Sequence, residues 1–302
     1  MNQETLSLLE FQERFSTEDA CRDHLFAIRW PEGYSCPRCG HERYYLHGPR
    51  HLYECKSCRY QVSLTAGTIF HGTRTPLRKW FWMIFLMARP KSGISMLSLQ
   101  RMLDIKYYKT VWMMGHKIRK AMSDRDAHYK LAGLVEMDDS YFGGSKPGKE
   151  GRGALGKSKV IVSVESRGSK AGFAKMTQVE RLDGSHIRDV ATDHVTDGST
   201  VKTDGWPAYR SGLRGEQFAH EYVVLGSGKE APKLLPWVHT MLANIKGSIR
   251  GVFKGVSDKH LQRYLDEFCF RFNRRFWEDQ LFDRTLCSCL STTTITYSEL
   301  SR

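Results

Sequence analysis

No apolar run in this 302-residue chain approaches the roughly 18 residues that a membrane-crossing helix needs. The greasiest segment, WFWMIFLMA at positions 80–88, is far too short. The first 14 positions lack the basic start and apolar middle of a secretory signal, so a cytoplasmic protein is expected. No stretch has the composition of a disordered chain, and 40% hydrophobic residues are ample for a core. Acidic charge is in deficit. Against 46 Lys and Arg stand 33 Asp and Glu, a net charge of +13 with a pI near 9.4. That balance favours polyanionic partners, nucleic acid before an anionic membrane surface. The glycine-rich basic stretch at 143–153 lacks the G-x-x-x-x-G-K-[ST] order of a phosphate-binding P-loop. A hairpin loop that meets a backbone phosphate is the reading that remains for it.

The eight cysteines also lack a disulfide rhythm. What they have is two C-x-x-C knuckles, Cys36-Pro-Arg-Cys39 and Cys55-Lys-Ser-Cys58, with 16 positions from Cys39 to Cys55. Four thiolates in paired turns fit a tetrahedral, structural Zn²⁺ with no open coordination position. Positions 43–46 and 51–54 read as the strands of a hairpin between the knuckles. His41, His47 and His51 fit a surface or DNA-facing position better than the metal. Cys269 lies in an apolar helical run and reads as a core thiol.

From Pro76 the pattern turns helical. Positions 77–87 are apolar enough to be buried on most sides, and Pro90-Lys-Ser-Gly93 breaks the run. Two shorter helices follow, at 95–103 and 109–122, joined by a turn. The second carries Lys109, His116, Lys117, Arg119 and Lys120. The pair reads as a DNA-binding helix-turn-helix, with a plain helical hairpin and a solvated basic face as the alternative.

The stretch LVEMDDSYF at 134–142 has the apolar residues of a buried strand, yet it holds Glu136, Asp138 and Asp139. Unpaired buried carboxylates are costly, so a core strand with three of them needs a reason. Alternation sets Glu136 and Asp138 on one face and Asp139 on the other. Hard cations such as Mg²⁺ or Mn²⁺ take oxygen ligands together with substrate phosphates. Two further strands at 159–165 and 173–181, a helix at 185–191 capped by Asp183, and a strand at 200–203 ending in Asp204 complete the series. That is the order of an RNase H-like fold, in which Asp138 and Asp204 lie side by side at the sheet centre.

These features together resemble the zinc-ribbon DDE transposases of bacterial insertion sequences related to the short IS-one group. The residues that carry the resemblance are the two knuckles, Val135-Glu-Met-Asp-Asp-Ser-Tyr-Phe-Gly-Gly144, Lys202-Thr-Asp-Gly-Trp206, His239-x4-Asn244-x-Lys246 and His260-Leu-Gln-Arg-Tyr-Leu-Asp-Glu-Phe-Cys-Phe-Arg-Phe-Asn-Arg-Arg275. They span about 10–285 in the family's order. The resemblance implies Asp138 and Asp204 as the first two catalytic acids, holding Mg²⁺ or Mn²⁺. The family often has Glu directly after the first acid, where this chain has Asp139. No acid occurs between Glu230 and Asp258. Relatives with a third Glu have it seven residues before a lysine and some members have Asn instead, so the resemblance points to His239, seven before Lys246, or to Asn244, where a neutral imidazole or amide can ligate or orient.

The expected architecture is α+β and multidomain. It comprises an N-terminal helical segment (1–30), a zinc ribbon (31–72), a helix-turn-helix-like DNA-binding segment (73–128), an RNase H-like α/β catalytic domain (129–276) and a C-terminal tail (277–302). The expected function is binding of an element's terminal inverted repeats, followed by two-metal cleavage and strand transfer. The partners are double-stranded end and target DNA, with a homo-oligomer assembled on them. Lys109, Lys117, Arg119, Lys120, Arg250, Arg274 and Arg275 are the candidate DNA contacts, and Lys246 joins the catalytic set. A DNA-binding regulator with an inactive nuclease-like domain, or a structure-specific nuclease, are the rival readings.

Overall fold

The protein is described from a computed structural model that covers residues 6–48, 51–143, 156–224 and 231–301. Most of the glycine-rich stretch read as a phosphate-meeting loop lies outside the described residues. Two compact units divide the chain. One is Met1–Arg89, Met96–Asp124 and Trp277–Arg302, and the other is Pro90–Ser95 and Arg125–Phe276. The ribbon, the helical segments and the tail are thus parts of one unit.

In that first unit, α1 (Leu8–Arg14) and α2 (Glu18–Arg29) lead into a three-stranded antiparallel sheet of β1 (Tyr44–His47), β2 (Leu52–Cys55) and β3 (Gln61–Ser63). Ser7 and Glu10 form a reciprocal capping box at the start of α1, which fixes where that helix begins. Helix α3 (Leu77–Ala88) is buried on most sides, as its composition predicts. Its cap position is Pro76, which offers no side-chain acceptor. Glu18 supplies one instead, accepting from the backbone N–H of Leu77 at 2.6 Å and Arg78 at 3.1 Å. Helices α4 (Met96–Met102) and α5 (Tyr108–Asp126) follow. The tail is not a loose end. Phe282, near the start of its helix at Leu281–Ser291, packs its ring against Phe11, Phe15, Phe81 and Phe85. Aromatic pairs of this kind contribute about 0.5–1.5 kcal/mol each beyond their buried area. The sequence signal was a single Phe in a Ser/Thr/Cys-rich stretch, too little to show what it would pack on.

The second unit holds a five-stranded sheet ordered β6-β5-β4-β7-β8, from β4 (Leu134–Phe142), β5 (Ser158–Arg167), β6 (Lys170–Val179), β7 (Thr200–Thr203) and β8 (Ala219–Tyr222). β4, β5 and β6 are antiparallel, and β7 and β8 run parallel to β4. This is the RNase H-like order expected from the strand and helix sequence, extended by β8. Helices α6 (Gly184–His194) and α7 (Pro207–Gly212) pack on one face, with Val135, Met137 and Val201 between them and the sheet. After α8 (Ala231–Leu234), helices α9 (Pro236–Gly251) and α10 (Asp258–Asn273) cover the other face over Phe142, Val160, Val162 and Val164. The tail helices of the first unit are then α11 (Leu281–Ser291) and α12 (Tyr297–Ser301).

Helix α10 also closes the sheet's β6 edge. An edge strand presents unpaired backbone groups that invite another chain. Here Gln262 accepts from Gln178 N–H and donates to Met176 C=O, while Asn273 accepts from Ala174 N–H and donates to Ala174 C=O. Arg275 continues the series with bonds to the carbonyls of Ala171 and Gly172. The alternate residues of β6 that face away from β5 are thereby satisfied by side chains.

Two of the expected DNA contacts are corrected here. Arg274 is 7% exposed, ion-paired to Asp126 at 2.7 Å and laid over the Phe270 ring. Arg275 spends its guanidinium on β6 carbonyls. Within the protein, Arg274 is thus held by a buried carboxylate and Arg275 by backbone carbonyls. Asp258 is the first residue of α10, after Ser257, and its carboxylate accepts from Ser158 and Gln178.

Candidate active site

The ribbon brings its four sulfurs together through two matching turns. Gly40 N–H returns to Cys36 C=O and Arg59 N–H to Cys55 C=O, with Gly40 and Arg59 both in the left-handed region. Cys36 and Cys58 sulfurs are 3.7 Å apart, and those of Cys39 and Cys55 are 3.6 Å apart. A tetrahedron with metal–sulfur bonds of about 2.3 Å has edges of roughly 3.8 Å, so the spacing suits zinc. Among the described residues this is the one group of three or more metal-type ligands whose donor atoms all lie within 4.8 Å of one another.

The acidic site lies in the second unit. On β4, Glu136, Asp138 and Ser140 point to the α9 side, and Asp139 points to the other side with its N–H on Asp138 Oδ1 at 2.8 Å. Parallel pairing sets Glu136 opposite Lys202. Two positions on in each strand direction come Asp138 and Asp204, neighbours at the C-terminal ends of the parallel pair. Asp204 is fixed by accepting from Trp206 N–H at 3.0 Å, across the positive-φ Gly205.

Helix α9 faces this pair. His239 Nε2 is buried, has no hydrogen-bond partner and lies 3.8 Å from Asp138 Oδ2. Burial lowers the imidazole's pKa, and the charge of Lys246 lowers it further against the opposing pull of Asp204. The ring is therefore neutral, with a nitrogen aimed at a carboxylate and nothing bonded to it. A divalent cation fits that arrangement of hard oxygens and imidazole. Seven positions on, Lys246 shares the His239 face and donates to Ser140 Oγ at 2.6 Å. Arg250, one turn further, is exposed on the same face. Asn244 is exposed and sits about 140° round the helix from His239. The structure thus brings Asp138, Asp204, His239 and Lys246 together and leaves Asn244 apart. Lys157 and Arg250 also lower the Lys246 pKa through their charge, after burial itself, so two further cations lie near Lys246. Lys157 escaped sequence reasoning because it sits among the basic residues after the glycine-rich stretch, with no pattern of its own.

Comparison with known proteins gives a family. Residues 130–273 match the ISXO2-like transposase domain, and residues 16–61 match the transposase zinc-ribbon domain. The matched domains are those of zinc-ribbon DDE transposases of insertion sequences. An uncharacterized protein in transposable element ISH50 of Halobacterium salinarum is 29% identical over 232 residues, which cover 71% of this chain and 76% of that one. Among solved structures, a pre-cleavage Mos1 transpososome matches at 11% identity and a TM-score of 0.28, covering 68% of this chain and 76% of that chain. The Mos1 strand transfer complex matches at 12% and 0.24, covering 68% and 75%. TM-scores this low leave the fold assignment to the sheet order and the family match.

The expected basic recognition helix is corrected in part. Arg119 and His116 are fully buried, and Lys120 is half-buried and paired with Asp124. Lys117 is half-buried as well, with its pKa lowered by burial. From Val111 to Asp124 no residue of α5 is fully exposed, so that length is a core helix. Its N-terminal end is different. Lys106, Tyr107, Tyr108 and Lys109 are all exposed there, with Lys109 Nζ 3.5 Å from the Tyr297 ring centre.

Proposed function

We propose that the chain binds the terminal inverted repeats of its insertion sequence and carries out metal-dependent cleavage and strand transfer. The observation that supports this most is Asp138 beside Asp204 at the sheet centre, with the unpartnered His239 Nε2 facing them. Asp138 and Asp204 would hold Mg²⁺ or Mn²⁺, and His239 would complete the set. Such ions neutralise charge on the scissile phosphate and activate the attacking oxygen. The protein's own part is positional. Asp138 and Asp204 present oxygens from fixed strands, and His239 keeps a neutral nitrogen turned toward them. Lys246, Lys157 and Arg250 offer charge to the DNA backbone. In the first unit, zinc on Cys36, Cys39, Cys55 and Cys58 would hold the ribbon, and the exposed start of α5 with Lys109 would meet the DNA ends. Assembly of a homo-oligomer on paired ends, acting on DNA in the cytoplasm, completes the reading.

The test is a cleavage and strand-transfer assay with Mg²⁺ on DNA carrying the element's ends. Cutting that frees a 3′-OH, followed by joining, is the expected outcome. Binding without cutting would mean a regulator, and cutting without joining a nuclease. His239→Ala should remove most activity, while Asn244→Ala should leave most of it. The reverse pattern would move the third position to Asn244.

A further inference from the structure

Glu136 shares the β4 face of Asp138, yet the proposed chemistry does not use it, and it is only 2% exposed. Its Oε2 accepts from two backbone donors of α9, Trp237 N–H at 2.8 Å and Val238 N–H at 3.1 Å. These are the first donors the helix has. Pro236 opens it without an N–H, and its cap residue, Leu235, gives no side-chain bond. The first N–H groups of a helix need partners and carry partial positive charge. Val238 is buried, so water is a poor substitute there.

The placement of this bond matters more than its strength. Along one face of β4 run Glu136, Asp138 and Ser140; along α9 come the backbone N–H groups of Trp237 and Val238 at its start, then His239, then Lys246 on the His239 face. Glu136 ties the start of α9, and Ser140 ties Lys246 two turns later. Asp138 and His239 meet between the two ties. A slip of α9 by one residue would turn His239 by about 100° away from Asp138.

We infer that Glu136 is a positioning residue, a cap supplied from the catalytic strand that sets the phase of α9 so that His239 faces Asp138. This rests on the reading of Asp138 and His239 as metal ligands. Glu18 of α2, which accepts from the first N–H groups of α3, shows that this chain uses the same device elsewhere. Residues that orient ligands from behind typically change metal affinity by about 10- to 100-fold when removed.

The experiment is Mn²⁺ binding by calorimetry on the full-length, zinc-loaded protein, with Asp138→Ala as the blank. Melting temperature and the Mg²⁺ dependence of cleavage are measured beside it. Glu136→Ala should weaken Mn²⁺ binding by about tenfold and raise the Mg²⁺ needed for half-maximal cleavage. Glu136→Gln keeps an oxygen that can accept both N–H groups, so it should restore binding to within about threefold. Ser140→Ala, which frees only the second tie, should give an intermediate shift. Wild-type Mn²⁺ affinity in Glu136→Ala would overturn the inference. So would a Gln variant that melts like the parent yet binds as weakly as the Ala variant, since the carboxylate charge itself would then be the ligand. If Glu136→Ala does not fold, a Gln variant near the parent with Ser140→Ala shifted supports the inference. Both at the parent value would overturn it. A parent protein whose Mn²⁺ isotherm equals that of Asp138→Ala would instead remove the metal reading, and the positioning role with it.

Discussion

The ribbon and the acidic centre are both candidate metal sites, and they are built in opposite ways. The four sulfurs come from two short turns of one small sheet, and their spacing already matches the tetrahedron they would form. Asp138, Asp204 and His239 come from two strands and a helix, and only the sheet register and the seating of α9 bring them together. A site of the first kind is made by local turns and owes little to the rest of its unit. A site of the second kind inherits every error in packing. Damage should therefore propagate differently in the two.

The largest effect should come from the acids themselves. Asp138→Asn and Asp204→Asn should each lower cleavage and joining by about 10³-fold or more, since each removes a ligand charge at the reacting phosphate. Folding and end binding should survive. Asp139→Ala, on the opposite face of β4, should cost far less. Equal damage from the Asp139 and Asp138 changes, measured in one cleavage series, would break the assignment of faces.

The ribbon should fail locally. Cys36→Ser should release the zinc, counted by elemental analysis, and weaken binding to the DNA ends by about tenfold or more. The second unit, followed by proteolysis of residues 125–276, should keep the parent's resistance. A variant that loses zinc and also opens the sheet unit would show that the two sites are not independent.

What the sequence made legible follows the same division. The knuckles were readable because four ligands and their turn residues are close in the chain. The β4 faces were readable because alternation is a local rule, and Asp204 because it ends a strand before Gly205. The fates of the cations were not readable. Arg119, Arg274 and Arg275 look like any solvated basic residue until the partners that bury them are known. For Arg274 that partner is Asp126, nearly 150 residues away in the chain. The Glu136 cap was hidden for the same reason, at 101 residues from Trp237. Strand β8 is short and mostly exposed, so it lacked the apolar alternation that marks the others.

Arg274 turns that lesson into a smaller, structural prediction. Burial already raises the Asp126 pKa against the pull of Arg274, so the carboxylate tolerates little further loss. Arg274→Met should strand it and destabilise the second unit by about 3 kcal/mol. Asp126→Asn combined with Arg274→Met should recover part of this. Arg250→Met, at an exposed position, should weaken DNA binding with the melting temperature unchanged. A Met variant at 274 that melts normally but binds DNA poorly would return Arg274 to the DNA surface.

The smallest effect expected near neutral pH sets acid sensitivity of the second unit apart from that of the ribbon. His194 on α6 is buried between Ser163 Oγ at 2.9 Å and Thr177 Oγ1 at 2.7 Å, joining the helix to β5 and β6. Burial, helped by the nearby charge of Lys175, lowers its pKa to about 3. In the unfolded chain a histidine titrates near about 6.5. Below that pH the unfolded state takes up a proton that the folded state refuses. The stabilisation is complete above about 6.5 and falls continuously toward pH 3, by about 1.4 kcal/mol per pH unit. Between pH 7.5 and 5.5 the second unit should therefore lose about 1.4 kcal/mol from this group. Urea unfolding followed by hydrogen exchange of the β5 and β6 amides, which lie in that unit, reads it without the ribbon, whose thiolates release metal in acid for their own reasons. His194→Gln should be less stable at pH 7.5 and show a flatter dependence on pH. An unchanged slope in that variant would assign the acid sensitivity to other groups and remove the distinction between the two units on this axis.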